Sequence, residues 1–228
     1  MASSEGNGPY IYNEDPFPYQ SLFDRLAMMA GRKSFEDAID RFFTQAQNPV
    51  RILDLGYGKG SFLERVYRKY GNRVICTGID SHPLATHIAG VSTYTGDVTE
   101  FTSYIPENSQ DIITAANLAI WLPDPLKTLI YDTHKTLTRD GTCWVNALPM
   151  SQMLPNPTEL NQFIWDTSQI GWRWFENRIW SPKGELGYDL LMIKSDHFQT
   201  IYENLTMHDA PNQLSPDISR SCYFYKSA

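Results

Sequence analysis

Cysteine is scarce in this chain: Cys76, Cys143 and Cys222 stand far apart, with no CxxC pair and no Cys/His cluster. That indicates neither a zinc site nor a disulfide framework, and it fits a reducing, cytoplasmic setting. Basic charge is in short supply too. Lys and Arg number 19 against 26 Asp and Glu, a net charge of −7, whereas nucleic acids are bound mainly through Lys and Arg, so no nucleic-acid partner is expected. There is no signal-peptide pattern and no apolar run of the about twenty residues that a membrane span needs, so no membrane partner is expected either. His82, His87, His134, His197 and His208 include no pair at metal-ligand spacing, and no metal is expected. What the chain does have is apolar residues, 42% of its 228, enough to bury the core of one sizeable domain.

The N-terminal stretch is small and polar. YIYNEDPFPYQ follows, where Tyr10, Tyr12, Phe17 and Tyr19 are interleaved with prolines that resist helix, so this arm is expected to lie against the rest of the protein. A helix comes next, signalled by Ser34 as N-cap, Asp37 three residues on, and Phe35, Ala38, Ile39, Phe42, Phe43 and Ala46 on one face; Asn48-Pro49 ends it. From Val50 the pattern alternates short β-rich runs with helical ones. Strands are predicted over 50–55, 74–79, 92–95, 111–116 and 142–148, with a helix over 61–70. Another helix starts at Asp124-Pro125 and closes at Arg139-Asp140-Gly141. Such alternation predicts an α/β, doubly wound parallel sheet with helices on both faces and ligands at the carboxyl ends of its strands.

The tightest bend in this pattern is Gly56-Tyr57-Gly58-Lys59-Gly60, where the first strand of the alternation turns into its first helix. Glycine permits φ > 0 there and lets backbone N–H groups meet a ligand. A dinucleotide fingerprint, GxGxxG, needs its last glycine at position 61, which is Ser61. The pattern present, Asp54-x-Gly56-x-Gly58-x-Gly60, suits a cofactor with an amino-acid end and no pyrophosphate. Asp80 closes the second strand, where a carboxylate accepts hydrogen bonds from both ribose hydroxyls; a helix N-cap before Ser81-His82-Pro83 is its other reading. Asp97 at the tip of the third strand suits an exocyclic adenine amine, with Val98 against the ring face, or else a plain turn.

Together these residues resemble the class I S-adenosylmethionine-dependent methyltransferases, from Arg51 to Ala147 and including the run SQDIITAANLAIWLPDPLKTLIYDTHKTLTRDGTCWVNA. In that family a fourth strand beginning near an Asp leads to a loop often containing a Trp, then a helix, a Gly-containing turn and a fifth strand. Asp111, Asn117, Trp121, Gly141 and the strand from Thr142 stand in those places. The resemblance implies a seven-stranded, mostly parallel Rossmann-like sheet whose last two, antiparallel strands fall at 198–202 and 221–225, and S-adenosylmethionine as cofactor. Asp54 and the backbone of Gly56, Tyr57, Gly58 and Gly60 would cradle the methionine end. Asp80 would take the ribose, with Ser81 and His82 beside the adenosine. Asp97 and Val98 would take the adenine, and Asn117 and Leu118 would line the wall beside the sulfonium. Tyr57 departs from the family, whose members usually carry a smaller residue; its ring either crowds the methionine end or reaches the substrate.

The activity so implied is methyl transfer to an O, N or C nucleophile of a small-molecule acceptor, with proximity and alignment supplying most of the catalysis. No general base is identified; Trp121, Tyr19 and Tyr57 are the candidates for bordering the transferred methyl. Specificity is expected outside the cofactor-binding core (50–150), in the N-terminal arm and helix (1–48) and an aromatic-rich cap (151–197) of the same domain. Within that cap Asn156 and Pro157 start a helix, and WRWFENRIW reads as a strand. Its Trp165, Trp172, Trp174 and Trp180 line a pocket, or else pack as core or as the face of a homodimer. Two other readings stay open. One is a methyltransferase-like protein that binds cofactor or substrate without transferring methyl, as a partner subunit or in another reaction class. The other is an NAD(P)-dependent oxidoreductase, weakened by Ser61. Nucleic-acid methylation is further disfavoured because Asn117-Leu-Ala-Ile stands where an Asn-Pro-Pro-Tyr run would be.

Overall fold

The Ser34 hydroxyl accepts the Asp37 N–H at 3.1 Å, which starts α1 (Phe35–Gln45) at the predicted cap. In this computed structural model, residues 23, 24, 27, 33–45, 48–81, 87–148, 150–169, 171–178 and 186–193 are described. The Tyr/Pro arm, with Tyr19, and also His82, Trp180, and the strands expected at 198–202 and 221–225, lie outside the described residues. After α1 come β1 (Val50–Leu55), α2 (Ser61–Tyr70), β2 (Val74–Asp80), β3 (Val91–Thr95) and β4 (Gln110–Ala115). These match the sequence pattern to within a residue or two. α2 has the predicted inward face, burying Phe62, Leu63 and Val66, and stops at Gly71.

The helix signalled by Asp124-Pro125 departs from the expected form. Asp124 Oδ1 does accept the Lys127 N–H at 3.0 Å, but Lys127–Asp132 winds as a π-helix before α3 (Thr133–Thr136). Lys127 Nζ reaches Asp132 Oδ2 at 2.7 Å across that wider turn. β5 (Leu137–Leu148) then begins earlier than position 142. Leu137 pairs with Gln110, and the register shifts before Ile112 meets Thr142. The cause is Asp111, whose carboxylate accepts the Thr138 hydroxyl and the Arg51 N–H, each at 2.8 Å. It ties the segment to the sheet before the turn at Asp140, where φ is 63°.

The five strands β1 to β5 pair in parallel, in the order β3-β2-β1-β4-β5. Their residues alternate between two buried faces. Leu53, Leu55, Ile79, Ile113 and Val145 face one cluster, which includes Phe101, Leu129 and Ile130. Val50, Ile52, Cys76, Ile112 and Trp144 face the other, which includes α1 and α2 residues such as Phe35 and Phe62. The two clusters pack the sheet from both sides, and the loops at its carboxyl edge start from this packed core.

The stretch expected as a cap contains two helices and two strands among its described residues. α4 (Met150–Met153) leads to α5 (Pro157–Gln169), whose start is capped by Asn156 Oδ1 on the Thr158 N–H at 3.0 Å. β6 (Trp172–Arg178) and β7 (Leu186–Ile193) then join the sheet, β7 antiparallel to β5 and β6 antiparallel to β7. Leu160 and Ile164 of α5 and Trp172 of β6 are buried in the first cluster. Residues 172–178 therefore lie at the outer edge of the sheet, because β7 pairs with β5 and leaves its own second edge for β6.

Candidate functional site

Parallel strands bring their carboxyl ends to one edge. Where neighbours leave in opposite directions, between β1 and β4, a crevice opens. Asp54 and Thr114 sit side by side in register at this point. Asp54 is wholly buried, and its Oδ1 accepts the Thr114 hydroxyl at 2.7 Å. A carboxylate below the turn needs such partners to be tolerated. Its charge, second to burial, pushes the thiol of Cys76 up to about 12. The Thr114 bond thus ties β1 to β4 just before the glycine turn.

The turn itself runs through left-handed backbone at Gly56, Gly58 and Gly60, with φ of 72°, 52° and 73°. At Gly60 a β-carbon would also fall 1.9 Å from Ile88 Cδ1. At Gly58 it would meet nothing within 4 Å among the described residues. The Gly58 N–H donates to Asp80 Oδ2 at 2.9 Å. The carboxylate that ends β2 is thereby tied to the turn that follows β1. α2 begins directly after Gly60, and the N–H groups of its first turn add partial positive charge on this side.

Tyr57 does not occupy the cleft. It is 2% exposed, and its ring lies against Gly78, where a β-carbon would approach Cδ1 to 2.7 Å. Burial raises its phenol; a hydrogen bond with the Thr93 side chain opposes the shift, and the Asp80 charge adds to it. The residue that the sequence offered as a neighbour of the methyl group is thus packed beneath the loop, facing β3.

Asp97 follows β3, and its Oδ1 accepts the Thr99 N–H at 2.8 Å, a bond that lowers its carboxyl. Val98 is buried in the first cluster with Phe101, its side chain turned toward the core. Ser81 is exposed beside Asp80. Beyond β4, Asn117 stands at φ 53° and its N–H donates to Asn146 Oδ1 at 2.6 Å. Leu118 reaches over Gly56, its Cδ1 only 3.0 Å from where a β-carbon would be. A short 3₁₀ turn, Ala119–Trp121, then presents the Trp121 side chain 50% exposed. That exposure is at odds with an indole packed under the helix at Pro125. His87 is exposed and His134 half-buried.

The structure therefore brings the glycine turn, Asp80, Asp97, Asn117, Leu118 and Trp121 to one edge, with Asp54, Tyr57 and Val98 beneath it. Three supporting residues were not singled out in the sequence: Thr114, Thr93 and Asn146. A faint signal existed for two of them, since Thr114 and Asn146 are polar residues near the carboxyl ends of otherwise apolar strands. Among the described residues no group of three or more His, Cys, Asp or Glu could hold a metal ion. Among them, too, no helix is long and apolar enough to cross a membrane.

No protein-family model and no curated protein sequence matches the chain. Solved structures do share similarity with it. One is an arsenic(III) S-adenosylmethionine methyltransferase from Chlamydomonas reinhardtii, at 16% identity and a TM-score of 0.49 over 65% of each chain. This chain thus spans just under two thirds of that protein's length. Another is a plantazolicin methyltransferase in complex with a pentazolic desmethylPZN analog and SAH, at 17% identity and a TM-score of 0.49, over 68% of this chain and 80% of that one. A TehB-like SAM-dependent methyltransferase from Corynebacterium glutamicum is similar at 16% identity and a TM-score of 0.45, over 75% and 94% of the two chains.

Proposed function

We propose that this chain binds S-adenosylmethionine at the β1/β4 crevice and transfers its methyl group to a small-molecule acceptor. The observation that carries this reading is the Gly58 to Asp80 hydrogen bond of 2.9 Å, at a turn whose middle no described residue crowds. It sets a carboxylate for a ribose beside a turn whose bare backbone and adjoining helix N-terminus suit an amino-acid carboxylate. Asp97 at the next strand tip suits the adenine amine. The fit extends to the reacting end, where Asn117, Leu118 and Trp121 form the far wall.

The bound cofactor would supply a methyl group on a cationic sulfur. The chain's own contribution is to hold, align and shield. Asp54 and Thr114 brace the turn, Asp80 orients the ribose, and the loop from Asn117 to Trp121 walls the crevice against water. With Tyr57 packed beneath the turn, its ring does not crowd the methionine end.

Calorimetry tests the reading directly. S-adenosylmethionine and S-adenosylhomocysteine are expected to bind in the micromolar range, and NADH not at all. The reverse preference would replace the proposal with the oxidoreductase reading.

A second measurement concerns Trp121. An aromatic face near a sulfonium stabilises the cation by about 0.5–2 kcal/mol, a term absent from the uncharged thioether. Trp121→Ala should therefore weaken S-adenosylmethionine by about two- to thirtyfold and leave S-adenosylhomocysteine nearly unchanged. Equal losses for both ligands would take Trp121 away from the sulfur.

A further inference from the structure

Asn117 holds a backbone conformation, φ 53°, that residues other than glycine rarely adopt, although Asn tolerates it better than most. Its partner is Asn146, 4% exposed near the carboxyl end of β5. Asn146 Oδ1 accepts the Asn117 N–H at 2.6 Å, and Asn146 Nδ2 donates to Asn117 Oδ1 at 3.3 Å.

The polarity of this pair is fixed by its backbone end. An N–H group can only donate, so the oxygen of Asn146 must face it. That leaves the Asn146 NH₂ for the Asn117 side chain, and a donor there requires the Asn117 oxygen opposite. The NH₂ of Asn117 branches from the same carbon away from Asn146, and Asn117 is exposed at the crevice wall.

We propose that Asn146 is a positioning residue that sets Asn117 as a hydrogen-bond donor beside the transfer site, so that the acceptor molecule carries an oxygen lone pair, as a carboxylate, carbonyl or phenolate, next to the atom that is methylated. This deepens the methyltransferase reading and rests on it for the reaction, although the clamp itself does not. A group with only N–H bonds to offer, such as an ammonium, would face the Asn117 donors unmatched, and an unmatched polar group selects against the ligand that brings it. The same clamp keeps Leu118 over Gly56, so removing it loosens the wall next to the cofactor.

Side-chain amide NMR on the full-length protein tests this. The two NH₂ signals are assigned by their loss in Asn117→Asp and Asn146→Asp. The Asn146 protons should exchange with solvent at least about tenfold more slowly than those of Asn117. In Asn146→Asp the new carboxylate can only accept, so the Asn117 NH₂ should turn inward and become the protected pair. Equal exchange in the wild type, or no new protection in the variant, overturns the clamp.

With S-adenosylhomocysteine bound, sodium benzoate should shift the Asn117 NH₂ signal saturably and benzylamine should not. A preference for benzylamine, or a shift with neither, overturns the acceptor class. Failure of the wild type to bind S-adenosylhomocysteine would sink the methyltransferase reading while leaving the exchange result to stand alone.

Discussion

Asp80→Ala is expected to weaken S-adenosylhomocysteine binding by about 10- to 150-fold, corresponding to the loss of charge-assisted hydrogen bonds worth about 1.5–3 kcal/mol. Two effects combine. The ribose loses its charged acceptor, and the Gly58 N–H loses the partner it holds at 2.9 Å, which frees the middle of the turn. Asp80→Asn separates them, because it keeps an acceptor oxygen for Gly58 but removes the charge. If the charge matters for the ribose, the Asn variant should lose most of the affinity with the turn intact. Calorimetry on both variants, with melting curves as the check on folding, decides the matter. Full affinity in Asp80→Ala would leave this carboxylate with the task of fastening a loop and nothing more.

A clear stability effect is expected at Gly78, within β2. A β-carbon there would lie 2.7 and 2.8 Å from Tyr57 Cδ1 and Cγ and 3.0 Å from Leu63 Cδ1. None of these can give way easily. Tyr57 is almost fully buried and hydrogen-bonded to Thr93, and Leu63 is in the core. Overpacking of this kind costs about 1–3 kcal/mol, so Gly78→Ala should lower the melting temperature by about 2–12 °C. Tyr57→Ala leaves a cavity of its own, but in that background the added cost of Gly78→Ala should shrink, because the ring it meets is gone. An unchanged melting temperature in the single variant would mean that the ring is not wedged against this strand.

What the sequence made legible was local. The bounds of α2 follow from its own amphipathic spacing, its preceding Gly60 and the Gly71 at its end, all within one short stretch. The glycine turn and Asp80 were equally readable, since their chemistry is carried by the residues themselves. The early start of β5 was not, because it depends on Asp111 gripping Thr138 from another strand. Residues 172–178 read correctly as a strand, but nothing in their own pattern tells that β7 will carry them to the free edge of β5. In the site, Tyr57 looked like a residue of the cleft because its burial depends on the bare face of Gly78 on the neighbouring strand. Thr114 and Asn146 escaped notice for the same reason: their partners are distant in the chain and close only once the sheet has formed.

The π-helical stretch Lys127–Asp132 has its own consequence for how this region tolerates changes of length. A π turn is an α-helix holding one residue more than it needs. Removing one residue between Lys127 and Asp132 would turn an i,i+5 ion pair into an i,i+4 pair, the ordinary spacing on an α-helix, and would keep Thr133 and Thr136 on the inward side. The chain thus carries a spare unit directly downstream of the Trp121 loop. An insertion or deletion arising in that loop over evolutionary time could be absorbed by winding or unwinding this single turn, while β4 and β5 keep their pairing.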